Sequence, residues 1–121
     1  MPHIVIEYTP NLGDLPFDAM LAATTQALSE SPEVQDEADL KARVLRAEHF
    51  RVGLQDSGRG YLHVQLRILA GRTPEAKTDL SRRVADALRS HLNALPSGLE
   101  AYLSVEVVDM DRGSYTKVRL A

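Results

Sequence analysis

Apolar and polar residues alternate at the start of the chain. Ile4, Ile6 and Tyr8 are interleaved with Val5 and Glu7, the period of a strand. Pro10-Asn11-Leu12-Gly13-Asp14 then reads as a turn, with Asp14 placed to cap a helix. Phe17, Met20, Leu21, Thr24 and Leu28 follow at steps of three and four, which puts them on one helix face. The acidic stretch from Ser29 to Asp39 contains Pro32 and predicts a loop or a short helix. A weaker pattern from Arg43 to Val52 predicts a second strand, and Gly53 to Gly60 a polar turn.

The second half repeats this plan more strongly. Leu62, Val64, Leu66, Ile68 and Ala70 alternate without a break against Tyr61, His63, Gln65, Arg67 and Leu69. Next, Thr73 is placed as N-cap, Pro74 at the first helical position and Glu75 in the first turn. Leu80, Val84, Leu88, Leu92 and Leu95 share a broad face, and Pro96-Ser97-Gly98 is the expected stop. Leu103, Val105 and Val107 predict a last strand, and Val118 and Leu120 a short alternation in the tail.

Each half is therefore expected to be β-α-β, with a crossover long enough to join parallel strands. The predicted class is α/β (α+β): one domain over residues 1–121, with pseudo-repeat halves of about 1–58 and 59–121. Two halves make a four-stranded sheet with both helices on one face. The edge strands and an apolar open face would favour assembly.

Composition narrows the function. The 121 residues are 44% hydrophobic and 26% charged, an ordinary globular balance. A net charge of −3 offers no basic field for nucleic acid. The absence of cysteine excludes thiolate chemistry and disulfides. No apolar run reaches the length of a membrane span, and the start lacks the pattern of a signal peptide. The expected location is the cytoplasm. His3, His49, His63 and His91 share no ligand spacing, so no metal site is expected. Glu33, Asp36, Glu37 and Asp39 read as a solvated acidic loop.

Two features remain that can carry chemistry. Pro2 follows the initiator methionine directly, and removal of Met1 would leave it as a secondary amine able to hold and release a proton. Arg72 falls where the strongest strand meets the strongest helix start, a place for an arginine fork to hold a carboxylate. Lys41 and Arg43 enter the weaker second strand, and Arg67 and Arg51 are further cations able to point out of a sheet face.

Taken together, three stretches resemble the tautomerase superfamily, and within it the 5-carboxymethyl-2-hydroxymuconate Δ-isomerase family. They are Met1-Pro2-His3-Ile4-Val5-Ile6-Glu7, Lys41-Ala42-Arg43-Val44, and His63-Val64-Gln65-Leu66-Arg67-Ile68 running into Ala70-Gly71-Arg72-Thr73-Pro74-Glu75. The resemblance spans nearly the whole chain. It implies a tautomerase-like (MIF-like) mixed sheet, a homotrimer and a cofactor-free, metal-free isomerase. It also implies Pro2 as general base, Arg72 as a catalytic and carboxylate-holding residue, and a small polycarboxylate as substrate, in homoprotocatechuate catabolism. Where the family pattern has Arg-x-Arg, this chain has Lys41-Ala42-Arg43, so the first-half anchor is Lys41 or Arg43, or the substrate differs. The rival readings are a tautomerase acting on another 2-oxo or unsaturated acid, and a trimeric binding module without catalysis.

Overall fold

The computed structural model describes residues 2–121. The strands are β1 (His3–Tyr8), β2 (Lys41–Arg46), β3 (Arg59–Leu69) and β4 (Glu100–Met110), and the helices are α1 (Phe17–Ser29) and α2 (Pro74–Arg89). Short 3₁₀ turns occupy Pro10–Leu12 and Glu37–Asp39. The strand order is β2-β1-β3-β4. β1 pairs in parallel with β2 and β3 with β4, as two crossover units require, and the central pair β1–β3 is antiparallel.

The alternation sorts the sheet into two faces. Ile4, Ile6, Leu62, Val64, Leu66 and Ile68 are buried beneath the helices, where they meet Met20 and Leu28 of α1 and Leu80, Val84 and Leu88 of α2. Each such side chain contributes about 1.5–3 kcal/mol of transfer free energy. The other face is polar, not apolar as expected. His63 there bonds Ser104 Oγ at 2.6 Å and Glu106 at 2.5 Å, and the Tyr61 hydroxyl donates to Glu7 at 3.4 Å.

Several boundaries differ from the sequence reading. β2 occupies Lys41–Arg46, not Arg43 to Val52, because its partner β1 ends at Tyr8. The last bond of this ladder runs from Ala47 N–H to Tyr8 O. Asp14 caps nothing: α1 starts at Phe17, behind Pro16, without a side-chain cap. Thr73 does cap α2, accepting from Ala76 N–H. That helix ends at Arg89, before Leu92 and Leu95. Ser90 Oγ donates to Ala87 O and Asn93 Nδ2 to Ser90 O, local bonds that compete with another helical turn. Leu92 and Leu95 still pack against the core, from a loop. The tail forms no strand at Val118 or Leu120, and both side chains are exposed.

Candidate active site

Pro2 is buried just before β1, and its carbonyl accepts from Lys41 N–H at 3.2 Å. By the alternation of the strand it belongs to the helix side of the sheet. There it lines a narrow crevice with Leu28, Val34, Leu66, Ile68, Leu80 and two charged residues, Glu33 and Arg72. The antiparallel β1–β3 pairing explains why residues so far apart in sequence meet. His3 lies opposite Arg67, so the end of β3 and the loop to Arg72 arrive beside the start of β1.

Arg72 is engaged within the chain. Its guanidinium donates to Leu69 O at 2.8 Å and to Glu33 O at 3.3 Å, and it stands 3.4 Å from the Glu33 carboxylate. The fork thus holds a carboxylate, but that of Glu33. Glu33 is not the solvated loop residue that its acidic neighbourhood suggested.

The other predicted cations lie across the sheet. Lys41 and Arg43 alternate onto the open face with His3, whose register partner is Lys41. Arg43 Nη1 lies 3.4 Å from His3 Nδ1. Lys41 Nζ turns back to the carbonyls of Ala38 and Asp39, at 3.5 and 3.4 Å. The structure therefore brings Arg72 to Pro2 on one side of the sheet, and puts Lys41 and Arg43 beside His3 on the other. Arg67 shares the open face, whereas Arg51 pairs with Asp56 away from these residues.

Two residues passed over in the sequence complete this end of the molecule. Tyr115, from the tail, places its hydroxyl 3.0 Å from His3 Nε2, with its ring edge-on to the imidazole. Lys117 bonds Asp39 at 2.7 Å, just ahead of β2. The Lys117 hydrogen bond, with its charge and that of Lys41, holds the Asp39 carboxyl below its usual range. Partial burial, then the charges of Arg43, Lys41 and Arg67, hold the His3 imidazole below its ordinary value of 6.5, which favours the neutral ring. Nothing in the spacing of the chain signals Tyr115; only the folded path of the tail brings it to His3.

Among the described residues, no three His, Asp or Glu side chains gather as metal ligands. None of the described helices is long and apolar enough to cross a membrane. A wider cavity, about 490 Å³, lies at the opposite end of the sheet, where Ala101, Tyr102 and Leu103 pair with Gly60, Tyr61 and Leu62. It is lined mainly by Leu12, Leu62, Leu92, Leu95 and Leu103, with Asp86, Arg89 and Asn93 among its polar residues. It contains nothing comparable to the buried Pro2 at the start of β1.

The fold and this arrangement can be set beside known proteins. A 5-carboxymethyl-2-hydroxymuconate isomerase from Deinococcus radiodurans R1 superposes with a TM-score of 0.87 at 24% identity, covering 97% of this chain and 88% of that one. A 5-carboxymethyl-2-hydroxymuconate delta-isomerase gives 0.79 at 20% identity, over 100% and 89% of the two chains. A fused 4-OT wild-type symmetric trimer gives 0.66 at 18% identity, over 88% and 85%. These likenesses establish the tautomerase-like fold. No curated protein matches the chain by sequence. The family model for 5-carboxymethyl-2-hydroxymuconate isomerase matches residues 2–119, which is almost the whole chain. With Pro2 at its buried strand start and Arg72 beside it, this protein belongs to the 5-carboxymethyl-2-hydroxymuconate isomerase family, isomerases of the tautomerase superfamily.

Proposed function

We propose that the chain is a cofactor-independent isomerase in which Pro2, freed by removal of Met1, moves a proton between carbon atoms of an unsaturated 2-hydroxy or 2-oxo acid. The observation that carries this reading is the burial of Pro2 in an apolar crevice with Arg72 on its rim. Burial disfavours an ammonium, and so does the Arg72 guanidinium once Glu33 no longer neutralises it. Both act to lower the pKa of the secondary amine toward neutrality, where a general base works best. Deprotonation of the substrate places negative charge on a conjugated oxygen, and the cations around Pro2 stabilise it. Arg72 serves from the helix side once the substrate displaces Glu33. Lys41 or Arg43 serves from the open side.

The proposed substrate is 5-carboxymethyl-2-hydroxymuconate, converted to its 2-oxo-3-ene isomer in aromatic catabolism. Arg72 in the Pro2 crevice, with Lys41 and Arg43 across the start of β1, suits a polycarboxylate better than a monoacid. We further propose a cytoplasmic homotrimer, supported by the trimeric assembly of the fused 4-OT neighbour. The polar open face and the free edges of β2 and β4 are the surfaces available for it.

The test combines mass spectrometry of the amino terminus with an isomerase assay on 5-carboxymethyl-2-hydroxymuconate and on simpler 2-oxo acids. Turnover of the muconate by chain beginning at Pro2 supports the reading. Turnover confined to a monoacid moves the substrate assignment. A free Pro2 amine with no turnover of any of them favours a binding module.

A further inference from the structure

We propose that the Tyr115 hydroxyl donates a hydrogen bond to the substrate oxygen that becomes an enolate during turnover, and that His3 aims it there. This rests on the isomerase reading above and extends the machinery to two residues outside it.

The argument is one of donors and acceptors. Arg43 Nη1, 3.4 Å from His3 Nδ1, can only donate. His3 Nδ1 must therefore present its lone pair. In a neutral imidazole the proton then sits on Nε2. That N–H points at the Tyr115 hydroxyl oxygen, 3.0 Å away, and donates to it. With its oxygen already accepting, Tyr115 has its own O–H proton free for a third group. The cations facing His3 from both neighbouring strands, Lys41 and Arg43 on β2 and Arg67 on β3, oppose a second proton on the ring and so preserve this polarity.

Position suits the role. His3 is one residue along the strand from Pro2, so its partner Tyr115 stands at the same end of the sheet as the proposed base, on the open face with Lys41 and Arg43, where it would meet the part of a substrate that those cations hold. The tail that carries Tyr115 is held there a second time, by Lys117 on Asp39, ahead of β2. A phenol pre-oriented toward developing negative charge stabilises the transition state more than the ground state. His3 is a positioning residue in this scheme, and Tyr115 is the group that touches substrate.

The experiment compares Tyr115→Phe, His3→Leu, His3→Gln and the Tyr115→Phe/His3→Leu pair, using enzyme whose free Pro2 amine has been verified. Phenylalanine keeps the ring against His3 and removes only the hydroxyl. Tyr115→Phe is expected to lower kcat on the order of 10²-fold, with KM changed by no more than a few-fold. His3→Leu should lose a similar factor, and the pair no more than either alone, because both remove one device. Glutamine can accept from Arg43 through its carbonyl and donate to Tyr115 through its amide, so His3→Gln should recover much of the loss. Nitrogen-15 NMR of the wild-type protein should find the His3 proton on Nε2. An active enzyme with unchanged kcat in Tyr115→Phe, or a proton on Nδ1, overturns the role of Tyr115 and leaves Pro2 standing. A wild type inactive on every 2-oxo and unsaturated acid tested overturns both.

Discussion

The two ends of the sheet are built by the same β-α-β plan and finished differently. At one end β1 opens on Pro2, and the loop that follows β3 brings Arg72 into the same crevice. At the other end β3 opens on Arg59 and Gly60, and the loop that follows β1 brings Asn11. Asn11 Nδ2 donates to Arg59 O at 2.7 Å, and a Cβ added to Gly60 would lie 2.6 Å from Asn11 Oδ1 and 2.8 Å from Thr9 Oγ1. One end holds a proline and a cation beside a crevice. The other packs backbone and amide tightly at Asn11 and Gly60, beside the cavity lined by Leu62 and Tyr102. A duplicated scaffold thus supplies two equivalent positions, and on the proposed function the residue identity at each decides which carries chemistry.

The largest expected effect belongs to the Pro2 end. Pro2→Ala should lower kcat by about 10²–10⁴-fold, the range for losing a well-placed general base, with circular dichroism unchanged. Alanine at the amino terminus still offers a primary amine, which leaves residual activity. Full turnover would dissolve the contrast between the ends. Arg72→Ala should lower kcat/KM by about 10²-fold and also destabilise the fold, because Glu33 loses its partner.

Gly60→Ala asks the opposite question of the opposite end. Its Cβ meets Asn11 and Thr9 well inside contact distance, so denaturation should show a loss of about 1–3 kcal/mol. Its kcat should stay near wild type at temperatures where it is folded. A larger loss of kcat than of stability would mean that the two ends are coupled.

The two helix starts offer a finer comparison. Thr73→Ala removes a cap that accepts from Ala76 N–H and should cost about 1 kcal/mol. Asp14→Ala removes no cap and should fall within about 0.5 kcal/mol of wild type.

Acid gives the smallest effect. His3 has a folded-state pKa below 6.5, so the unfolded chain takes up its proton first. Stability from neutral His3 is intact above 6.5 and declines as pH falls through and below that value. Asp39 is also depressed, and its pairing with Lys117 is present above 3.8 and lost as pH falls through its lower folded-state value. A urea midpoint series should therefore decline first from 6.5 downward and again below about 4, the second step vanishing in Asp39→Asn. A midpoint that is flat between about pH 7 and 5 would contradict the environment assigned to His3.

The chain's own pattern determined a great deal. Period-two alternation set both central strands and their buried faces, since a strand has only two sides. Three- and four-residue spacing set the cores of both helices, and Thr73-Pro74 set the start of α2 through the geometry of a single turn. Pro2 and Arg72 stood out as candidates because one follows Met1 and the other falls where a strand meets a helix start, and folding brings them to one crevice. The parts that escaped depend on partners far away in sequence. β2 stops where β1 stops, α2 gives way to local side-chain bonds at Ser90 and Asn93, and the open face is filled by charges paired across strands. Glu33 looked like a solvated acid until folding set it against Arg72, 39 positions on. Tyr115 lies 112 positions from His3, and no local rule connects them. Local periodicity is encoded along the chain. The hydrogen-bond partners of one buried end are chosen only when antiparallel pairing and the returning tail bring three segments to the same place.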